Sequence, residues 1–210
     1  GSIAVPLLSG CSAIQVEVDE DDGGDGDDSS GDDVDQQNRS SPTSNVRFLN
    51  VGLSAFPEGL DPIRIERGPG VGIVNALFEG LYEYGAATAL EPRLAAGQPE
   101  TSRDGTRWIV GLRSGPRFQN GTPLGVEDVV YSYEAAMEES PINQEPFEII
   151  ESVTAVDEST IQFDLRSAFV PFRHLLTQKV VPESVRMGNV EAFSNQPVGS
   201  GPFRYAPDEQ

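Results

Sequence analysis

Few residues of this chain are of types that could do covalent or metal chemistry. The chain has one cysteine, Cys11, and one histidine, His174, so it can form neither an internal disulfide nor a Cys/His metal site. Glu127 and Asp128 could act as an acid–base pair, but neighbouring residues of a helix point about 100° apart. Neither a Gly-x-Ser-x-Gly nor a His-Glu-x-x-His pattern is present. We therefore predict no catalytic residue, no metal and no cofactor, and we interpret His174 as a surface or packing residue.

Cys11 ends the run Leu8-Ser9-Gly10-Cys11, in which an apolar residue and two small residues precede the cysteine. This pattern is typical of the end of a lipoprotein signal peptide, where the cysteine receives lipid and becomes the mature terminus. We therefore expect residues 1–10 to be a signal-peptide remnant and Cys11 to be lipidated. The protein would then sit on the extracellular face of the cell membrane, held by its lipid anchor.

The segment from Glu17 to Gln37 contains no basic residue and few apolar ones. Such a composition cannot bury enough surface to offset the entropy of ordering the chain. An EF-hand calcium loop is the alternative, but the flanking helices and the late glutamate are missing. We expect residues 11–44 to form an acidic, disordered spacer that carries the lipid anchor and no metal.

The whole chain is strongly acidic, with 34 Asp and Glu against 14 Lys and Arg and a net charge of −20. All basic residues except Lys179 are arginine. Dense carboxylates hold hydration and arginine pairs with them bidentately, so this composition favours a protein adapted to high salt. The alternative is an ordinary acidic protein with one acidic tail. Either way, phosphate would be repelled, which excludes nucleic acid as a partner.

A glycine-rich run at Gly68–Gly72 precedes a helix that we predict at Ile73–Tyr82. A phosphate-binding loop would need Gly-Lys-Ser/Thr or the dinucleotide spacing of glycines, and neither is present. The helix has one apolar stripe, which indicates a helix packed on a core. Nucleotide binding is therefore not expected here.

The stretch Arg103–Met137 predicts a strand, a turn and a helix. Its apolar residues first alternate, as in a strand with one buried face, and then recur at helical spacing from near Gly125 to near Glu139. A hairpin is predicted to follow at 149–156 and 160–165.

Two runs are candidates for ligand contact. Strand 46–53 has apolar residues on both faces, which predicts a central strand. Ligands of open α/β sheets gather outside the carboxyl ends of strands, so the following run Ser54-Ala55-Phe56 could offer backbone groups and an aromatic wall. In Gly199-Ser200-Gly201 the glycines let the backbone approach a ligand closely. The alternative is that these glycines only shape a turn or a hinge.

Several strings, in a fixed order, resemble one family. They are Leu60-Asp61-Pro62, FEGLYEY (78–84), LEPRLAAG (90–97), DGTRWIVGLRSGPRFQNGTPLGVEDVVYSYEAAM (104–137) and PVGSGPFRY (197–205). They are similar to the extracellular solute-binding proteins of ABC importers, family 5, whose members bind oligopeptides, dipeptides or nickel. The resemblance covers residues 45–205. It departs at Gly125 and Val126, which replace the family's Thr and Ala at a helix start, so the N-cap there is expected to be weaker.

The resemblance implies an α/β fold of the periplasmic-binding-protein type II, with a mixed sheet, helices and a small α+β subdomain. Residues 45–210 would hold part of the first lobe only, with the subdomain at roughly 72–190 inserted between strands 46–53 and 201–206. The second lobe would be missing, so we expect the chain to be incomplete at both ends. The complete protein would be a monomeric clamp that closes on a solute and delivers it to the membrane permease.

Short peptides are the solute that this resemblance favours, and no bond chemistry is implied. The same fold could instead bind nickel chelates or oligosaccharides, or serve as a sensory binding protein, which neighbouring genes would reveal. A surface hydrolase is the remote alternative.

Overall fold

The computed structural model of the chain describes residues 13–18, 47–52, 57, 59–65, 70–85, 89–140 and 144–206. Within this part, no helix is both long and apolar enough to cross a membrane. In chain order the elements are β1 Ala13–Val18, β2 Arg47–Gly52, α1 Gly70–Leu77, β3 Tyr82–Tyr84, β4 Leu90–Pro92, β5 Glu100–Thr101, β6 Arg107–Gly111, α2 Val126–Glu139, α3 Gln144–Phe147, β7 Ile150–Asp157, β8 Thr160–Leu165, α4 Phe172–Leu175, α5 Glu183–Arg186, α6 Val190–Asn195 and β9 Phe203–Ala206.

A three-stranded antiparallel sheet has the order β2-β1-β9. The central strand is β1, and β2 is an edge strand among the described residues, so our prediction of a central strand at 46–53 is wrong. Apolar residues on both faces favour a central position, but the pairing partner decides it. β2 and β9 do belong to one sheet, which is the arrangement that a subdomain inserted between them requires.

Strand β1 also corrects the expected spacer. Its sequence, AIQVEV, alternates apolar and polar residues, the pattern of a strand, and it pairs with both β2 and β9. The disordered spacer predicted for residues 11–44 is therefore wrong for these 6 residues. The acidic run comes after β1, so it connects two strands of one sheet instead of leading into the fold. Residues 19–46 lie outside the described part of the chain.

A four-stranded antiparallel sheet, β5-β6-β8-β7, holds the predicted strand and hairpin. Val110 and Leu112 are buried and Trp108 is half-buried, whereas on the other face Arg107, Gly111 and Arg113 are exposed and Ile109 is half-buried. This confirms the one-sided alternation. The inner face carries Phe163, which lies opposite Trp108 and forms part of the main hydrophobic core.

Helix α2 lies against β7 and β8 and confirms the helical prediction from near Gly125 to Glu139. Val126, Val129, Tyr133 and Ala136 form its buried stripe. The Tyr133 ring meets the Phe163 ring edge-on at a centroid distance of 4.8 Å. Periodicity located this helix because one face packs continuously on the sheet.

Helix α1 ends at Leu77, earlier than the predicted Tyr82, and Tyr82–Tyr84 is a strand paired with β4. Between them, Gly80 forms an antiparallel bridge with Lys179. A Cβ at Gly80 would come within 2.8 Å of the Thr177 carbonyl oxygen, so the chain needs a glycine there. The helical apolar pattern of the sequence continues beyond Leu77, but the tertiary contact at Gly80 ends the helix before it.

One buried cation joins three separate parts of the chain. Arg186 of α5 is fully buried, and its guanidinium contacts Asp61 at 2.9 Å and Glu139, at the end of α2, at 2.9 Å. It also donates to the Tyr131 hydroxyl at 3.0 Å. Burial alone lowers the pKa of Arg186, but the hydrogen bonds to Glu139 and Asp61 outweigh it and raise the pKa. The second oxygen of Asp61 accepts the Ile63 N–H at 3.1 Å, which fixes the turn that follows.

Replacing Arg186 by methionine should destabilise the fold by about 3–5 kcal/mol, because two carboxylates would lose their buried partner. The matched control is Arg64→Met. Arg64 contacts the same Glu139 at 2.7 Å, but its side chain is 53% exposed, so its loss should cost about 1 kcal/mol or less. Urea unfolding followed by circular dichroism measures both. Equal losses in the two variants would contradict the role given to the buried network.

Candidate functional site

The predicted run Gly199-Ser200-Gly201, which we call the glycine turn, lies against the carboxyl end of α1. The Gly201 N–H donates to the Leu77 carbonyl oxygen at 2.9 Å, which satisfies one of the carbonyls that a helix end leaves free. A Cβ at Gly199 would overlap that same oxygen, and a Cβ at Gly201 would lie 2.5 Å from the Ala76 carbonyl oxygen. Both glycines are therefore required by the close approach of the α1 backbone.

Gln119 holds this turn in place, and sequence reasoning did not find it. Its side-chain amide N–H groups donate to the carbonyl oxygens of Gly201 at 2.9 Å, Leu77 at 3.3 Å and Phe203. Its backbone N–H donates to the Gly199 carbonyl oxygen at 2.8 Å. One amide thus ties together α1, the glycine turn and β9. No sequence signal marks it, because its partners are backbone groups about 40 and 80 residues away.

The Ser200 hydroxyl is buried beside Glu79. It makes no hydrogen bond of ordinary geometry, yet it lies near enough to the Glu79 carboxyl to contribute to its pKa. Burial raises the pKa of Glu79, and Arg113, 3.5 Å away, works against that rise. The polar side of the glycine turn therefore faces a partly buried carboxyl group.

The other predicted contacts lie outside the described residues, namely Ser54, Ala55, Phe56 and the lipidation site Cys11. Contact of a solute with Ser54–Phe56 or with Gly199–Gly201 stays a prediction. The structure gives another reason why glycine is needed at positions 199 and 201, since both residues pack closely on the backbone of α1.

A cavity of about 260 Å³, which we call the α1 cavity, lies along α1 at Val71, Val74 and Asn75. It is formed by the segment after Asp61, by α1, by the end of α3 and by the chain from α4 to Lys179. The lining residues are Pro62, Ile65, Val71, Val74, Asn75, Phe147, His174, Leu175, Thr177, Gln178 and Lys179. The lining mixes apolar side chains with amide, hydroxyl, imidazole and ammonium groups, and such a mixture can hold a small molecule that has both apolar and polar parts.

Two of the polar lining residues are held by strand β3. His174 shares a hydrogen bond of 2.6 Å between its Nδ1 and the Tyr84 hydroxyl, and the two rings stack at 5.9 Å. The Lys179 ammonium lies 3.0 Å from a Glu83 carboxylate oxygen. Neither residue was chosen as a site from the sequence, since each is the only one of its type and has no neighbouring motif. The fold, through the bridge between Gly80 and Lys179, brings them together.

Of the two carboxylates considered for acid–base chemistry, Asp128 is bonded to backbone groups. One Asp128 oxygen accepts the Gly125 N–H at 2.9 Å and the other accepts the Glu183 N–H at 3.0 Å. Asp128 therefore supports the start of α2, where Gly125 has no side chain to do so, and ties α5 to it. Within the described ranges, no three His, Cys, Asp or Glu side chains are grouped to hold a metal ion.

Residues 89–207 match the family model for bacterial extracellular solute-binding proteins, family 5, middle part. Among curated proteins, the chain is 30% identical over 166 residues to protein XP55 of Streptomyces lividans, covering 77% of this chain and 30% of that protein. It is 26% identical over 198 residues to di/tripeptide-binding protein 2 of Pseudomonas aeruginosa, covering 78% and 37%. The chain thus spans about a third of the length of these relatives.

Among solved structures, the chain is similar to AgaA from A. tumefaciens R10, determined in complex with agropinic acid. The TM-score is 0.69 at 27% identity, and the match covers 75% of this chain and 33% of that one. The described fold is therefore found in solute-binding proteins, again over a part of their length.

Gly199→Ala should destabilise the fold by about 1–3 kcal/mol, because the added methyl group has no room beside the Leu77 carbonyl. Gly72→Ala is the matched control. It adds the same group within α1 where no atom of the described residues lies within 4 Å, so it should stabilise the helix by up to about 1 kcal/mol. Thermal unfolding of both variants measures the effect. A Gly199 variant as stable as wild type would show that the turn does not need this close approach.

Proposed function

The chain belongs to family 5 of the bacterial extracellular solute-binding proteins and folds as part of one lobe of a type II periplasmic binding protein; on this basis we propose that it acts in the capture of short peptides for an ABC importer. The complete protein would close two lobes on the solute and pass it to the permease, without changing a bond. Since the chain covers about a third of its relatives' length, this concerns the protein to which the chain contributes one lobe.

The observation that carries the proposal is the α1 cavity. A short peptide presents apolar side chains and backbone amides, and the cavity offers both kinds of partner. Val74 and Leu175 supply apolar contact, whereas the exposed Asn75 amide can donate to and accept from peptide groups. The runs Ser54–Phe56 and Gly199–Gly201 complete the proposed contacts on this lobe.

Peptides are favoured over the other solutes by one relative, which is described as a di/tripeptide-binding protein. A nickel chelate or an oligosaccharide on the same fold is the second possibility, and the exposed Asn75 amide could bond to either solute.

Calorimetric titration of the intact protein with pools of di- and tripeptides should give binding heat, whereas nickel–histidine and maltotriose should give none. Asn75→Ala should weaken peptide binding about threefold to tenfold, the effect of one lost neutral hydrogen bond. Glu134→Ala, on the exposed face of α2, is the control and should bind as wild type does. Heat from nickel–histidine or the sugar alone would reassign the solute.

We also propose that Cys11 carries the lipid that holds the protein at the extracellular face of the membrane. The support is the run Leu8–Cys11 together with the extracellular family. Because β1 begins at Ala13, a lipid on Cys11 would hold the sheet of β1 close to the bilayer. The acidic spacer would then not separate them.

Cys11→Ser should move the protein from the membrane fraction to the soluble fraction, because no lipid can be attached to serine. Cell fractionation followed by immunoblotting measures this, with Ser12→Ala as the neighbouring control that should stay in the membrane fraction. Unchanged membrane association of the Cys11 variant would refute the anchor.

A further inference from the structure

Two cavities meet at one buried phenylalanine. The α1 cavity, of about 260 Å³, lies on one side of Phe147. A second cavity, of about 390 Å³, is lined by Met137, Phe147, Glu148, Ile150 and Arg166. Among the residues that the structure describes, Phe147 is the one that lines both cavities, and it is 2% exposed. Its side chain therefore stands between a proposed solute cavity and an additional chamber.

The position of Phe147 is fixed by the hydrophobic core. Its ring meets the Tyr133 ring edge-on at 6.0 Å, and Tyr133 is fully buried. The Tyr133 hydroxyl donates to the Leu175 carbonyl oxygen at 3.1 Å, and Leu175 lines the α1 cavity. The same tyrosine thus contacts the Phe147 ring and, through its hydroxyl group, the segment that lines the α1 cavity.

The lining of the second cavity could accept a part of a solute that extends from the α1 cavity. Met137 is half-buried and Ile150 is fully buried, so its inner part is apolar. Arg166 is exposed at its rim and donates to the Glu148 carbonyl oxygen at 2.9 Å. A chamber of this kind suits a large apolar or aromatic group whose polar parts remain in the α1 cavity.

We propose that Phe147 is a specificity-determining residue that limits the size of the solute side chain accepted by the α1 cavity. Its ring closes the cavity on the side of α3 and keeps the second chamber apart. Small side chains fit in front of the ring, whereas bulky ones are excluded by it. This proposal rests on the proposed function, since it assumes that the solute binds in the α1 cavity.

The test compares the intact wild-type protein with Phe147→Leu and Phe147→Ala, using the dipeptides Ala-Ala, Ala-Leu and Ala-Trp in calorimetric titrations. Wild type should bind Ala-Ala more tightly than Ala-Trp. In Phe147→Ala the affinity for Ala-Trp relative to Ala-Ala should rise at least tenfold, and in Phe147→Leu by a smaller factor. The leucine variant keeps the test valid if the alanine variant does not fold.

Phe163→Leu is the matched control. Phe163 is equally buried and packs on the same Tyr133, but it lines neither cavity. It should lower stability without changing the ratio of the two affinities. An unchanged ratio in folded Phe147 variants would overturn the role of Phe147 and leave the proposed function standing, whereas absence of all peptide binding in wild type would overturn both.

Discussion

The fold depends on a buried charge network centred on Arg186. A guanidinium without exposed area is stable only because Asp61 and Glu139 both bond to it, and neither carboxylate could lose it without being left partly desolvated. The pair with Asp61 spans 125 residues of sequence. Since Asp61 also fixes the N–H of Ile63, the network sets the path of the chain into the segment that lines the α1 cavity. A buried ion pair thus helps to position the wall of the α1 cavity.

Helix α1 is constrained at its carboxyl end and lines a cavity before that end. At its carboxyl end, Leu77 receives the glycine turn and the Gln119 amide, and there is no space left beside the backbone. Further along its surface, Val74 and Asn75 line the cavity. Gly199 and Gly201, which we predicted as ligand contacts, therefore pack against the backbone of α1. Close backbone approach has the same sequence signature whether the neighbour is a ligand or another part of the chain.

The spacing of apolar residues in the sequence predicted the elements that bury one continuous face. Alternation located β6, and helical spacing located α2, because each packs one continuous face on the core. The end of α1, the strand β3 and the place of β1 were missed, because Gly80 and the partners of β1 act through contacts distant in sequence. The cavity was missed for the same reason. Lys179 and His174 have no motif around them and acquire neighbours only when the chain folds.

The distribution of polar groups separates supporting residues from residues that remain free to bind. Asp128 uses both carboxylate oxygens on backbone N–H groups, and Gln119 uses its amide on backbone carbonyls. Groups satisfied in this way cannot serve a ligand without loss of stability. Asn75 lies exposed on α1 at the edge of the α1 cavity, where a solute can reach it. This contrast, more than the presence of glycines or acidic pairs, is the reason why we propose that the solute binds at the α1 cavity.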